Sequence, residues 1–239
     1  MTDLPSRADD PGLWPSDPEQ ARALQARLAR EVRQDPLDAA GVRLAAGLDV
    51  SYDRDDERLV AAAVVLSLPG LEVVDSATAH AAPSFPYLPG LFAFRELPPL
   101  LEAVRGLSTE PDVYVCDGFG LAHPRRFGLA CHLGWLLDRP AIGVGKSPFT
   151  GRADEPGPQR GDWSPLRAGG EAGAEEEVVG RALRTRTGVR PVYVSVGHRA
   201  DLDGATDLVL RLTPEFRLPE TVRRADRLSR DALAGLSGA

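Results

Sequence analysis

Several things are scarce in this chain of 239 residues, and each scarcity narrows what it can be. It has only two cysteines, Cys116 and Cys131, both set among apolar neighbours and without C-x-x-C or Cys/His metal spacing. No disulfide framework or zinc module is therefore implied, and buried reduced thiols are expected. No stretch approaches the roughly 18 apolar residues of a membrane span, and the opening MTDLPSRADDPGLWPSD lacks a basic region followed by an apolar core. A cytoplasmic protein is expected. Internal repeats are absent. Positive charge is in deficit: the formal net charge is -7, which argues against a protein that coats nucleic acid non-specifically, since such affinity comes from releasing counterions through many Lys or Arg contacts. A local basic groove stays compatible with that balance. Arginines cluster at Arg181, Arg184, Arg186 and Arg190, and again from Arg217 to Arg230, where composition favours solvated helix and loop faces over a ligand-binding groove. Lysine is the scarcest charge of all. The 28 basic residues include one, Lys146 in GVGKS, at the mouth of an apolar strand where a compact ammonium differs most from a guanidinium.

What is present is enough to fold. With 43% hydrophobic residues the chain can bury a sizeable core. Residues 1–16, rich in Pro, Asp and Ser, are expected to be disordered, and 17–235 to form one catalytic domain. Helical spacing runs from Ser16 to about Gln34, with a capping box from Ser16 to Glu19 and Ala21, Leu24, Leu28 and Val32 on one face. RLAAGLDVSY, RLVAAAVVLSL and LEVVDSATAH then read as an antiparallel meander. A Pro-rich stretch turning helical follows, and then the strand DVYVCDG. A helix is expected to open at Pro124, before the strand AIGVGKS. Residues 151–177, loaded with Gly, Pro, Ala and Glu, read as a loop or insertion. Strands VVGRALRT and PVYVSVGH, then helices at Leu202–Arg211 and Pro219–Ala234, close the chain. The expected fold class is a single α/β domain, one mixed sheet with helices on both faces.

Two carboxylates carry the first chemical signal. Asp49 ends the strand AAGLDVSY and Asp117 ends VYVCDGFG, where open α/β sheets place their sites. If those strands are neighbours, the pair calls for a hard divalent cation, because close like charges are unfavourable without a metal or a proton. Singly, each is equally a strand-ending cap. Glu96 in FRELPPLL is either a third ligand or a helix-start carboxylate favoured by the macrodipole. Lys146 is no P-loop lysine, since Pro140 stands where that loop needs glycine, but a phosphate contact stays open. Tyr87, between Pro86 and Pro89, is either a ring presented on a stiff loop for wedging into a base stack or a core aromatic.

GLDVSY, PYLPGLFAFRE, DGFGLAHPRRFGLACHLG, IGVGKSPFTG, PVYVSVGH and RLPETVRRADRLSR occur in the order found in the endonuclease V family, which the chain resembles from about Leu44 to Arg230. The resemblance implies a ribonuclease H-like fold. It also implies a metal-dependent endonuclease that nicks DNA, and RNA as an alternative, at the second phosphodiester bond 3′ to deoxyinosine or inosine. Mg²⁺ or Mn²⁺ would be held by Asp49, Glu96, Asp117 and Asp226; an exposed charge network with Arg223 and Arg230 is the other explanation of Asp226. Tyr87 matches the family's wedge, and Gly90, Gly118 and Gly120 match its base pocket. His123 and Lys146 match residues near the cleaved phosphate, although His123 would equally cap the Pro124 helix. A monomer acting on inosine-containing DNA or RNA is expected. The chain has GVGKS where G-V-A-K-S is commoner, and its 151–177 segment is longer and more acidic than usual.

Overall fold

The computed structural model describes residues 6–55, 57–169 and 176–237. Eight strands form one sheet: β1 (Leu44–Tyr52), β2 (Leu59–Ser67), β3 (Val73–Ala81), β4 (Val113–Asp117), β5 (Ala141–Gly145), β6 (Trp163–Ala168), β7 (Glu177–Leu183) and β8 (Val192–Val196). Their order is β3-β2-β1-β4-β5-β8-β7-β6. The meander β1-β2-β3 is antiparallel as expected, while β1, β4 and β5 run parallel. β8 pairs antiparallel to β5, and β7 and β6 extend that edge. The first five strands have the ribonuclease H-like arrangement that the sequence motifs imply.

Helices cover both faces because the alternate residues of the central strands are apolar on both. On one face, α1 (Pro18–Leu28), α2 (Phe92–Gly106) and α3 (Leu129–Leu137) share a core with Ala46, Leu48, Ala63, Tyr114 and Cys116. On the other, α4 (Leu202–Arg211) packs on Val113, Val115, Ile142, Val144 and Val194, and α5 (Glu220–Ser237) lies across β1 and β2. Both cysteines are free and buried. No helix among the described residues is long and apolar enough to cross a membrane.

Four local expectations need correction. Residues 6–16 are not disordered: short 3-10 turns at Ser6–Asp9 and Pro11–Leu13 bury Ala8 and Leu13, and Trp14 stacks on His132. The apolar side chains hidden among Pro and Asp are what anchor the segment; residues 1–5 lie outside the described ones. The cap of α1 is Asp17, whose carboxylate accepts from Glu19 N and Gln20 N, each at 2.9 Å, and the regular helix stops at Leu28. Helix α3 starts at Leu129, not Pro124, because the chain first turns at His123–Arg126 with Arg126 at φ 54°, which no right-handed helix contains. Finally, the 151–177 segment holds a strand, β6. Pro165 is tolerated there because β6 is the edge strand, with an outer side that among the described residues is bridged at Arg167, by Arg152, and not at Pro165. Residues 170–175 of that segment lie outside the described ones.

Candidate active site

The register of the central strands builds the site. Leu48 pairs with Cys116 across the parallel β1-β4 ladder, so Asp49 and Asp117 are the next residues along adjacent strands, at their carboxyl ends. Glu96 comes from α2, five residues into the helix and beyond its first turn, so the macrodipole does not account for it. These three carboxyls feel one another. The Asp49 carboxyl is pushed up to about 6, first by burial and then by the charges of Asp117 and Asp226, against an opposing hydrogen bond from Ser229. Glu96 is pushed up to about 7, again by burial first, then by Asp49 and Asp117.

Each carboxylate also has a protein partner. Lys146 Nζ donates to Asp117 Oδ2 at 2.6 Å, Ser229 Oγ to Asp49 Oδ2 at 2.8 Å, and Tyr52 OH to Glu96 Oε1 at 3.3 Å. Asp226, on α5, pairs with Arg230 at 2.7 Å, which is the i,i+4 contact the sequence left open, while its field still reaches Asp49. Among the described residues, no three His, Cys, Asp or Glu side chains stand drawn together as the ligands of one ion. The carboxylates thus share a field, with Lys146 on an Asp117 oxygen and Ser229 on an Asp49 oxygen.

Beside them opens a cavity of about 240 Å³, whose lining includes Glu96, Asp117, Gly90, Gly118, Phe92 and Phe149. Gly90 and Gly118, two of the three glycines singled out by the motifs, are thus part of its lining. Gly120 does not line it: a Cβ there would meet Val196 O at 1.8 Å, so this glycine serves close packing of the loop on β8. Tyr87 is 67% exposed, with its ring 4.6 Å from that of Phe92 at the cavity rim, which removes the core-aromatic alternative.

His123 is placed differently from a phosphate ligand. It is buried, its Nε2 lies 3.0 Å from Gly90 O, and its Nδ1 accepts from Arg125 N at 3.2 Å, so the ring is the Nε2–H tautomer and both nitrogens are taken. Burial pushes its pKa down to about 4, leaving it neutral near pH 7. Lys146 is half-exposed, and its backbone carbonyl accepts from Arg217 Nη2 at 2.7 Å. Most of the late arginines are similarly engaged within the protein. Arg181 pairs with Asp203 and covers the Trp163 ring, Arg184 is buried, and Arg223 pairs with Glu220.

Sequence reasoning missed Gln25, Ser229, Tyr52, Phe119 and Phe149. The departure GVGKS was the one available signal for Phe119: a Cβ at Gly145 would lie 2.3 Å from Phe119 Cζ. Glycine leaves room for that ring, which stacks on Phe149 at 6.0 Å.

Known proteins share both the sequence and the fold. A sequence model of Endonuclease V matches residues 26–227. The Endonuclease V of Streptomyces avermitilis is 53% identical over 93% of this chain and 95% of its own length, and its crystal structure superposes with a TM-score of 0.87. The catalytic domain of human Endonuclease V is 36% identical with a TM-score of 0.80, covering 92% of this chain and 97% of that one. A Ciona intestinalis Endonuclease V, solved in complex with a 24mer DNA containing an inosine followed by a ribo-adenosine, is 29% identical with a TM-score of 0.76, covering 91% and 98%. With a match over most of its length and a relative more than half identical along nearly the whole of both chains, the chain belongs to the Endonuclease V family, and is a nuclease and hence a hydrolase.

Proposed function

We propose that this nuclease nicks DNA, and inosine-containing RNA as a second substrate, at the second phosphodiester bond 3′ to deoxyinosine or inosine, leaving 3′-hydroxyl and 5′-phosphate ends. The observation that carries this reading is the shared wall of the cavity and the carboxylate group, since Glu96 and Asp117 belong to both. At about 240 Å³ the cavity is smaller than the roughly 300–1,000 Å³ of drug-sized sites and suits one extruded base. The Ciona intestinalis relative crystallised on inosine-containing DNA supports the choice of base.

The donor set suits a hard divalent cation: oxygen atoms only, on part-buried carboxyls whose mutual repulsion a positive ion would relieve. Asp49, Glu96 and Asp117 would hold Mg²⁺ or Mn²⁺, with Asp226 of α5, whose charge reaches Asp49, as the fourth ligand. Bound there, such an ion lowers the pKa of a water and offsets charge on a phosphodiester. The chain's own residues do the rest. Tyr87 enters the base stack from its exposed loop, and the cavity takes the extruded base, with backbone at Gly90 and Gly118 close to the purine edge. Lys146, half-exposed beside Asp117, supplies a point charge to the phosphate as Asp117 is released from it. His123, neutral and with both nitrogens engaged, holds the cavity wall.

A nicking assay on matched DNA and RNA oligonucleotides carrying one inosine tests this, with and without chelator and with Asp117→Ala as control. Metal-dependent nicking at a fixed offset from inosine, abolished in the variant, is the expected result. Unchanged activity in Asp117→Ala would remove that residue from the site, and equal cutting of adenine-containing controls would overturn the base assignment.

A further inference from the structure

Gln25 of α1 is remote in sequence from every residue so far given a role, yet it is 1% exposed and its amide is fully used. Its Nε2 donates to Gly90 O at 3.0 Å and to Phe127 O at 3.1 Å, and its Oε1 accepts from Arg125 Nε at 2.6 Å. The same Gly90 carbonyl also accepts from Arg125 Nη2 at 2.8 Å and from His123 Nε2 at 3.0 Å. Three donors thus converge on one backbone oxygen that has two lone pairs, in a buried setting where each such bond is strengthened by the low dielectric. That oxygen belongs to a special residue. Gly90 has φ +81°, and a Cβ on it would meet Arg125 Nη2 at 2.9 Å, so it is the pivot at which the stiff Pro86-Tyr87-Leu88-Pro89 loop joins α2.

We infer that Gln25 is a positioning residue: with His123 and Arg125 it clamps the Gly90 carbonyl and so fixes the fulcrum of the Tyr87 loop, giving the ring the rigidity to open a duplex. The inference rests on the reading of Tyr87 as a wedge for inosine extrusion. A side chain that separates stacked bases has to push against their stacking free energy. A loop free to turn at its glycine would yield instead. The two prolines stiffen the loop between its ends but leave Gly90 free, and the clamp removes that freedom. It does so from α1, an element that contributes no carboxylate, with the Gln25 side chain set in the cavity wall beside Gly90 and His123.

The test reads base extrusion directly. A DNA duplex carrying 2-aminopurine beside inosine is bound in chelator, so that nothing is cut, and fluorescence reports unstacking while anisotropy reports binding. Wild-type protein is expected to raise the fluorescence, and an adenine-containing duplex to show no such rise. Gln25→Leu and Gln25→Glu, the second filling the same volume and keeping the Arg125 contact, should bind with affinity within about threefold of wild type yet give less than about half of its fluorescence rise. Tyr87→Ala should cut the rise as well, to a smaller but measurable remainder. The double variant Gln25→Leu/Tyr87→Ala should fall no lower than Tyr87→Ala alone, because both changes act on one step.

A full rise in both Gln25 variants overturns the inference, as does a double variant whose loss is the product of the two single losses. A fall in binding that accounts for the whole loss of signal also overturns it, since that is the mark of general damage. Failure of the underlying reading looks different: wild-type protein itself would then give no rise, or the same rise with adenine.

Discussion

Replacing Glu96 by Gln tests the crowding of the carboxylates without any substrate. The Glu96 carboxyl is pushed up to about 7 from an ordinary 4.5 by burial and by Asp49 and Asp117. A raised acid pKa means that the native state holds its proton more tightly than the unfolded chain does. Stability is therefore lost as the pH rises from the unfolded value near 4.5 to the folded value near 7, and stays low above it. Each pKa step is worth about 1.4 kcal/mol, so the charged carboxylate costs the ion-free protein at most about 3 kcal/mol at pH 8 and about 1.4 kcal/mol at pH 5.5. A neutral amide in its place carries no such cost. Glu96→Gln should accordingly melt higher than wild type in chelator at pH 8, by at most roughly 6–12 °C at 2–4 °C per kcal/mol for a domain of this size, with a smaller gain at pH 5.5. Nicking should be lost at the same time. Thermal melts in chelator at the two pH values decide it: a variant equally or less stable than wild type at pH 8, or a gain independent of pH, would refute the picture of mutually repelling buried carboxylates.

Two further substitutions probe the supports of the site. Gly145→Ala should drive the Phe119 ring from its seat, destabilising by about 1–3 kcal/mol and lowering kcat/KM about tenfold, and adding Phe119→Leu should recover much of both; melting and nicking rates check it, and an innocuous Gly145→Ala would contradict the close approach. Arg217→Ala removes donors to Lys146 O and Pro191 O, so kcat/KM should fall several-fold with Lys146 itself intact, and a nicking rate within error of wild type would detach Arg217 from the placement of Lys146.

How much of this could be read from the sequence depends on which forces act locally. Asp49 and Asp117 were legible because strand ends announce themselves in apolar runs, and their adjacency needed only that β1 and β4 be neighbours. Tyr87 was legible because two prolines flank it. The start of α3 was misplaced by five residues because nothing in Arg126 signals a left-handed conformation, which tertiary context imposes. Strand β6 was hidden by Pro165 and by the surrounding glycines, since edge strands tolerate residues that central ones do not. Gln25 and Ser229 were invisible for a different reason. A lone Gln on an amphipathic helix or a Ser between arginines has no pattern, and its partner lies 65 or 180 positions away, so only the fold brings them together.

The central claim is that separate parts of the chain present oxygen ligands for one divalent cation beside a base-sized cavity. Anomalous scattering from crystals soaked in Mn²⁺ tests it most directly. A peak is expected in contact with the carboxylates of Asp49 and Asp117, with Glu96 facing it and Lys146 moved off Asp117. Absence of a peak there at saturating Mn²⁺, with the Lys146–Asp117 pair still closed, would contradict it.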